Sequence, residues 1–398
     1  MIIDRIKKNH LCLGCGLCAS VIGHKNCKME ITDDGFYVPT LRERVDDKIV
    51  KSLCPGIRVH GNSCGKLWGV YYDVSEGWAN DEEIRFHSSS GGVVSALAVY
   101  LLQEHIVDAI LHVGVSSDNY LRNELKVSRN KEDIINNAQS RYAPALTLYN
   151  IKQLLDNSKD VYGFVGKACD IAGLKNLIEI YPQYKDRFKL FVSIICAGMP
   201  SMDGTQKALS LSGRKEPPRT LKYRGDGWPG LFMATWDDGT KFHLTYRESW
   251  GKILGGFLNF RCKICADGIG SLADISIGDS WNTKDGYPDF EEQDGRCLIF
   301  TRTVRGQETL HDAKSKGYIE VNPITDIDGI KYMQPGQYSR RKLAGWRIFP
   351  VQLMTMGMLN FRGLGMYKQA VSSNYIEGLK NMKGTLVRFL RILRNGNY

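Results

Sequence analysis

Cys12-Leu13-Gly14-Cys15-Gly16-Leu17-Cys18 places three thiols at two-residue spacing in a loop that also holds two glycines. Such a loop can wrap one inorganic centre, because three soft ligands point inward from a single turn of chain. Gly14 and Gly16 permit positive φ between the thiols, so amide hydrogens can turn toward cluster sulfides that side chains would otherwise crowd. The chemistry this predicts is one-electron transfer at a 4Fe-4S cluster. A bacterial ferredoxin run would place its fourth cysteine, followed by proline, four positions after the third. Here that position is Ile22, and the next Cys-Pro pair is Cys54-Pro55. Cys54 is therefore the expected fourth ligand, with Cys27 as the alternative. A zinc knuckle also uses C-x2-C, but structural zinc takes its cysteines as two separated pairs, so the third thiol favours the cluster.

Around this loop, residues 1–65 also carry Cys27, Cys54 and Cys64 among turn residues such as Asp33-Asp34-Gly35. The segment reads as a strand-poor, ferredoxin-like module in which metal substitutes for a hydrophobic core. The whole chain has 398 residues, 43% hydrophobic and 24% charged, enough for two or three units with a sizeable core. We expect boundaries near 65 and 328: the module 1–65, an α/β domain 66–328, and a helical basic region 329–398. No apolar run approaches the ~18 residues needed to cross a bilayer, and the longest, 190–195, reads as a buried strand. Residues 1–10 lack a secretory h-region, so a cytoplasmic location is expected. Eleven cysteines there point to metal or redox chemistry instead of disulfides. Lys and Arg outnumber Asp and Glu by 53 to 43, which favours anionic partners. No nucleic-acid-binding signature is present, and none of the common dinucleotide, phosphate-loop or hydrolase motifs occurs.

From about residue 67 the pattern becomes α/β. Strands are expected at 70–74, 107–115, 161–165 and 191–195, with helices at 93–103 and 146–155 and another opened by the stretch 166–174. Ser88-Ser89-Ser90-Gly91-Gly92 opens the first of these helices. Free amides and the positive end of the helix dipole could meet a phosphate there, with glycines removing side chains that block close approach; an ordinary serine cap is the plainer reading. Residues 219–245 look antiparallel, with Asp238-Gly239 as a hairpin turn. A helix is expected over 246–258, and a strand over 273–278 that ends in Asp279-Ser280-Trp281.

Four further thiols fall at element ends: Cys169 and Cys196 after strands, and Cys262 and Cys265 as a C-x2-C pair. Four is a complete ligand set for a second cluster. The alternative leaves Cys169 and Cys196 as small buried residues and the pair as a redox dithiol or half a zinc site. Cys64 and Cys297 read as structural. The last segment, 381–394, is a basic amphipathic helix suited either to packing on its own domain or to peripheral contact with a partner or an anionic membrane.

In order and spacing, Cys12-x2-Cys15-Gly16-x-Cys18, Cys54-Pro55-Gly56, Ser89-Ser90-Gly91-Gly92-Val93, Gly166-x2-Cys169-x-Ile171-x-Gly173-Leu174, Cys196-x-Gly198, Gly227-Trp228-Pro229-Gly230, Cys262-x2-Cys265-x-Asp267 and Gly278-Asp279-x-Trp281 resemble the beta-subunit family of coenzyme F420 hydrogenases and dehydrogenases. The resemblance spans roughly residues 10–305. It implies an iron–sulfur flavoprotein of α/β class: the ferredoxin-like module, then a mixed-sheet FAD domain, then the helical tail. By matching position, Ser89, Ser90, Gly91 and Gly92 would lie near the FAD phosphates, with Gln139, Ser140 and Arg141 as further pocket candidates. Two departures stand out: Ala168 replaces a frequent proline, and the second half of a two-cluster ferredoxin module is missing. The expected activity is an oxidoreductase that takes electrons from a ferredoxin-like donor through 4Fe-4S clusters to FAD and on to a small-molecule acceptor. Coenzyme F420 is one candidate acceptor, and assembly with other chains is expected. His87 and Asp279 are the candidate proton donors. The rival readings are an electron-relay subunit of a larger complex and a zinc-stabilised binding module.

Overall fold

The computed structural model describes residues 1–117 and 119–395. Its centre is a nine-stranded mixed sheet. In chain order the strands are β1 (Asp73–Ala79), β2 (Ala109–Val115), β3 (Asn123–Ser128), β4 (Ala145–Leu146), β5 (Tyr162–Lys167), β6 (Phe188–Ile194), β7 (Ile275–Asp279), β8 (Cys297–Thr301) and β9 (Ile319–Pro323). They lie side by side as β9-β1-β8-β7-β6-β5-β2-β3-β4. β7, β6, β5 and β2 run parallel, while β8 is antiparallel to both β7 and β1.

The apolar strands bury both faces, as a sheet covered on each side must. Ile110, Leu190, Val192, Ile275 and Ile277 pack under helix α1 (Val93–Gln103). Their neighbours Ala109, Leu111, Phe164, Phe188 and Phe191 face α2 (Ala168–Ile180) on the other side, together with Leu17 and Leu53 from the N-terminal segment. The strand period of two assigns adjacent residues to opposite layers. A separate three-stranded antiparallel sheet, Thr220–Lys222, Phe232–Thr235 and Lys241–Leu244, turns at Asp238-Gly239 as expected.

The N-terminal segment departs from the coreless module expected of it. Ile2, Ile3, Ile6, Leu11, Val38, Val50, Ile57 and Val59 form one buried cluster with Ala344, Ile348, Val351, Phe361 and Phe389. The partners of the N-terminal helix Ile2–Lys8 therefore arrive from the other end of the chain, on α4 (Ala344–Met354) and α5 (Tyr375–Asn395). α3 (Pro335–Lys342) precedes them. Parallel pairing of Asn360–Arg362 with Arg58–His60 ties the two ends together. Phe389, fully buried, stacks on Phe260 at 5.2 Å, so the amphipathic tail packs on its own chain.

Three local expectations shift. The strand expected at 70–74 starts at Asp73, because Arg302 takes the Trp68 and Val70 carbonyls that a ladder would have used. The helix expected at 146–155 is a short strand followed by Ile151–Asn157. The stretch 246–258 breaks into a wide-turned helix Arg247–Ile253 and a tighter Leu254–Phe257, where consecutive glycines weaken regular α-helix. Among the described residues, no helix is long and apolar enough to cross a membrane.

Candidate functional site

The first thiol group is built from a turn with little freedom. Gly14 and Gly16 both have positive φ, and a Cβ on Gly16 would lie 2.7 Å from that of Tyr149. Leu148 donates its amide to the Cys15 carbonyl, which holds the loop against the body. Cys12, Cys15, Cys18 and Cys54 line one cavity whose other walls include Ile3, Ile6, Met29 and Val50. Backbone amides turn toward the sulfurs: Gly14 donates to Cys12 at 3.4 Å, and Gly56 and Ile57 face Cys54. A Cβ on Gly56 would stand 2.3 Å from the Leu11 carbonyl, so only glycine lets that turn close. Cys27 does not line the cavity; it sits behind Cys18 and shares a hydrogen bond with it.

Burial is the largest influence on three of these thiols, while the hydrogen bond with Cys27 leads for Cys18. Burial pushes Cys12 up to about 12 and raises Cys15 and Cys54 as well. A cationic centre bound among these thiols would invert that logic and deprotonate its ligands. Four soft sulfurs with amides aimed at them therefore suit an iron–sulfur cluster by donor type. Among the described residues no three Cys, His, Asp or Glu side chains approach closely enough to hold one metal ion.

The second group gathers at the carboxyl edge of the parallel strands. Cys169 lies in the first turn of α2 just after β5, and Cys196 follows β6 and accepts the Gly198 amide at 3.4 Å. The short helix Phe260–Lys263 supplies Cys262, and Cys265 follows. The four are close enough to interact: Cys196 and Cys262 act electrostatically on Cys169, Cys196 and Cys265 on Cys262, and Cys265 on Cys196. Burial raises Cys169 and Cys196, and lifts Cys262 to about 12.

The two groups are mechanically joined. Leu13 packs in one small cluster with Phe36, Met199 and Cys262, and Cys169 abuts it. Asn259 donates to the Cys12 carbonyl at 3.2 Å. Arg261, only 2% exposed, donates Nε to the Gly56 carbonyl at 2.6 Å, so the residue beside Cys262 fixes the turn that follows Cys54. Sequence reading missed Arg261; nothing local distinguishes it from any other basic neighbour of a cysteine.

The serine-glycine turn lies on the same edge, between β1 and α1. A Cβ on Gly91 would meet the Gly77 carbonyl at 2.8 Å and the Arg296 Cα at 2.9 Å. Ser90 donates to the Arg296 carbonyl at 2.9 Å, and Ser89 accepts the Ser140 amide at 2.6 Å. Gln139 Oε1 is buried without a hydrogen-bond partner, an acceptor waiting for a donor. A ligand that offers N–H donors, as the flavin ring of FAD does, would satisfy that oxygen. The amides of Gly91 and Val93 face the Cys297 sulfur, so that cysteine, read from sequence as merely structural, belongs to the wall of the turn.

The other sequence candidates have firm partners. Arg141 donates to Asn123 Oδ1 and to the Leu221 and Tyr120 carbonyls, bracing the edge from inside. Asp279 accepts two bonds from buried Arg224, at 2.9 and 3.0 Å, and one from Trp228 Nε1 at 2.8 Å. Such a carboxylate anchors a loop and is poorly placed to donate a proton. Trp228 stacks on Trp281 at 4.6 Å beside it. His87 Nδ1 meets Asp226 Oδ1 at 2.7 Å, and Asp226 also takes the Lys222 ammonium. Burial works upward on Asp226, but Lys222 and His87 outweigh it and hold its carboxyl below the usual range.

A mixed α/β sheet with four cysteines and a glycine turn at its carboxyl edge has the layout of open-sheet proteins, which bind their ligands at that edge. Residues 74–152 match the family described as coenzyme F420 hydrogenase/dehydrogenase, beta subunit N-term, and residues 159–327 match the corresponding C terminus. Together these exceed half of the chain, which belongs to that family of oxidoreductase subunits. It is 25% identical over 264 residues to the coenzyme F420 hydrogenase subunit beta of Methanothermobacter thermautotrophicus, covering 65% of this chain and 87% of that protein. A 25% identity over 256 residues links it to the coenzyme F420-dependent sulfite reductase of Methanocaldococcus jannaschii, covering 61% of this chain and 37% of that one. In the solved F420-reducing [NiFe] hydrogenase complex from Methanosarcina barkeri, one chain shares the fold with a TM-score of 0.55 at 20% identity, over 71% of this chain and 94% of that one.

Proposed function

We propose that this chain is an iron–sulfur flavoprotein that carries electrons from a ferredoxin-like donor to a small-molecule acceptor. Cys12, Cys15, Cys18 and Cys54 would hold one 4Fe-4S cluster and Cys169, Cys196, Cys262 and Cys265 a second. Ser89, Ser90, Gly91, Gly92 and Gln139 would hold FAD. Bound there, the clusters would supply single electrons and the flavin would exchange them for hydride. The observation that carries this reading is the meeting of Cys54 with Cys12, Cys15 and Cys18 around one cavity, in contact through Leu13 with Cys262 and Cys169.

The residues of the chain have separate tasks in this scheme. The Gly14, Gly56 and Ile57 amides offset negative charge on the first group. Arg224, Asp279 and Trp228 lock the loop over the serine-glycine turn, and His87, oriented by Asp226, is the group placed to hold a proton there.

Anaerobic purification followed by iron, sulfide and flavin analysis tests the proposal. Roughly eight iron per chain with one flavin is expected, and a colourless protein containing zinc would sink it. The relatives named as subunits support a second reading, an electron relay inside a complex. Activity of the isolated chain with reduced ferredoxin and an acceptor such as coenzyme F420 separates enzyme from relay.

A further inference from the structure

On the flank of the second thiol group, five cations surround a cleft of about 420 Å³: Lys263, Arg340 from α3, Arg347 from α4, and Lys380 and Arg388 from α5. That volume is within the range of small-molecule sites, ~300–1,000 Å³. None of the five meets a carboxylate within ion-pair distance among the described residues. Arg347 is fixed by donating Nε to Asn381 at 3.0 Å. Its guanidinium is pulled down to about 10, first by burial and then by the like charges of Arg340 and Arg388; Glu377 opposes this only weakly. Cations crowded against one another without counter-charge destabilise the empty cleft, and an anion between them removes the repulsion.

We propose that this cleft is a binding site for a phosphate-bearing ligand. Three guanidinium forks converging from three helices match the geometry of a phosphate, which accepts paired N–H donors on several oxygens. A concave site favours a small anionic group over the flat face of an acidic protein. Four of the five cations lie beyond residue 327, outside the family-matched region. The phosphate could come from a soluble compound or from a lipid headgroup, since Ile376, Leu379, Val387 and Leu390 leave an apolar row exposed on α5 next to the cleft.

Titration calorimetry of the full chain with inorganic pyrophosphate at about 0.15 M salt tests the site, with sedimentation against phosphatidate and phosphatidylcholine vesicles as the second arm. Saturable pyrophosphate binding that weakens about tenfold or more in Arg388→Gln, and not in Lys383→Gln on the outer face of the same helix, supports a soluble phosphate ligand. The same dependence seen only with phosphatidate vesicles assigns the headgroup. Lack of binding in both arms, or equal losses in Arg388→Gln and Lys383→Gln, overturns the proposal. Arg388 is exposed, so its replacement leaves the fold intact, and a circular-dichroism melt of each variant verifies this.

Discussion

The two thiol groups have the same number of sulfurs and opposite origins. Three of the first four come from a single seven-residue loop, while the second four come from the ends of elements up to 96 residues apart, brought together only because β5 and β6 run parallel and stop at one edge. The first is encoded by local spacing and the second by topology. They respond differently to damage for that reason, and a shared set of hydrogen bonds couples them.

The strongest way to separate them is to remove one ligand from each. Cys54→Ser is expected to lower iron content by roughly half and leave flavin in place, as is Cys262→Ser. Only Cys262→Ser should also stop photoreduced cluster electrons from reaching the flavin. If Cys27→Ser lowers iron and Cys54→Ser does not, the cavity has been given the wrong fourth wall.

Arg261 tests the coupling itself. Replacement by Met keeps much of the volume but strips the donors from the Gly56 and Pro55 carbonyls, which are buried. An unpaired buried acceptor costs about 1–3 kcal/mol, so a loss of about 3 kcal/mol in urea unfolding is expected. Iron should fall at both groups, read as parallel loss of both cluster signals in paramagnetic resonance. Loss at one group alone would show that the two fold independently.

Gly91→Ala attacks the edge without touching a thiol. Its methyl group would press on the backbone of β1 and of Arg296, neither of which can move without breaking the ladder. Overpacking of this kind costs about 1–3 kcal/mol. Flavin content should drop while iron stays near its wild-type level, measured on the same sample by absorbance and chemical analysis.

These contrasts also explain what was readable from the chain. The helix at 93–103 has the boundaries the sequence predicted, because a glycine pair and an apolar helical period mark it locally. The Cys12 loop was legible for the same reason. The N-terminal core was not: Ile2, Ile3 and Ile6 find their partners on helices more than 300 residues away, and no local pattern reports such a contact. Asp279 stood out in a motif, but its ion pair with Arg224 ties that strand end to a loop 55 residues earlier, so the carboxylate looked free when it is not. Gln139 kept its interest, since its orphan oxygen appears only once neighbours are in place.

The smallest effect concerns the sheet whose carboxyl edge carries the second group. His112 on β2 is packed so that burial lowers it to about 4, and its Nε2 meets Ser128 Oγ on β3 at 2.7 Å. Its folded pKa lies below the ordinary value of about 6.5, so the unfolded chain binds the extra proton first. The stability it contributes is therefore complete above pH 6.5 and drains away as pH falls toward 4. Between pH 7 and 5 the loss should reach at most about 2 kcal/mol. His112→Gln keeps a polar partner for Ser128 and has no proton to gain, so it should flatten that part of the profile in urea unfolding at the two pH values. A profile as steep as the wild type's would move the acid sensitivity away from β2, to the carboxylate pairs along the edge, where Asp226 loses its bonds to Lys222 and His87 only once pH drops through its own lowered value.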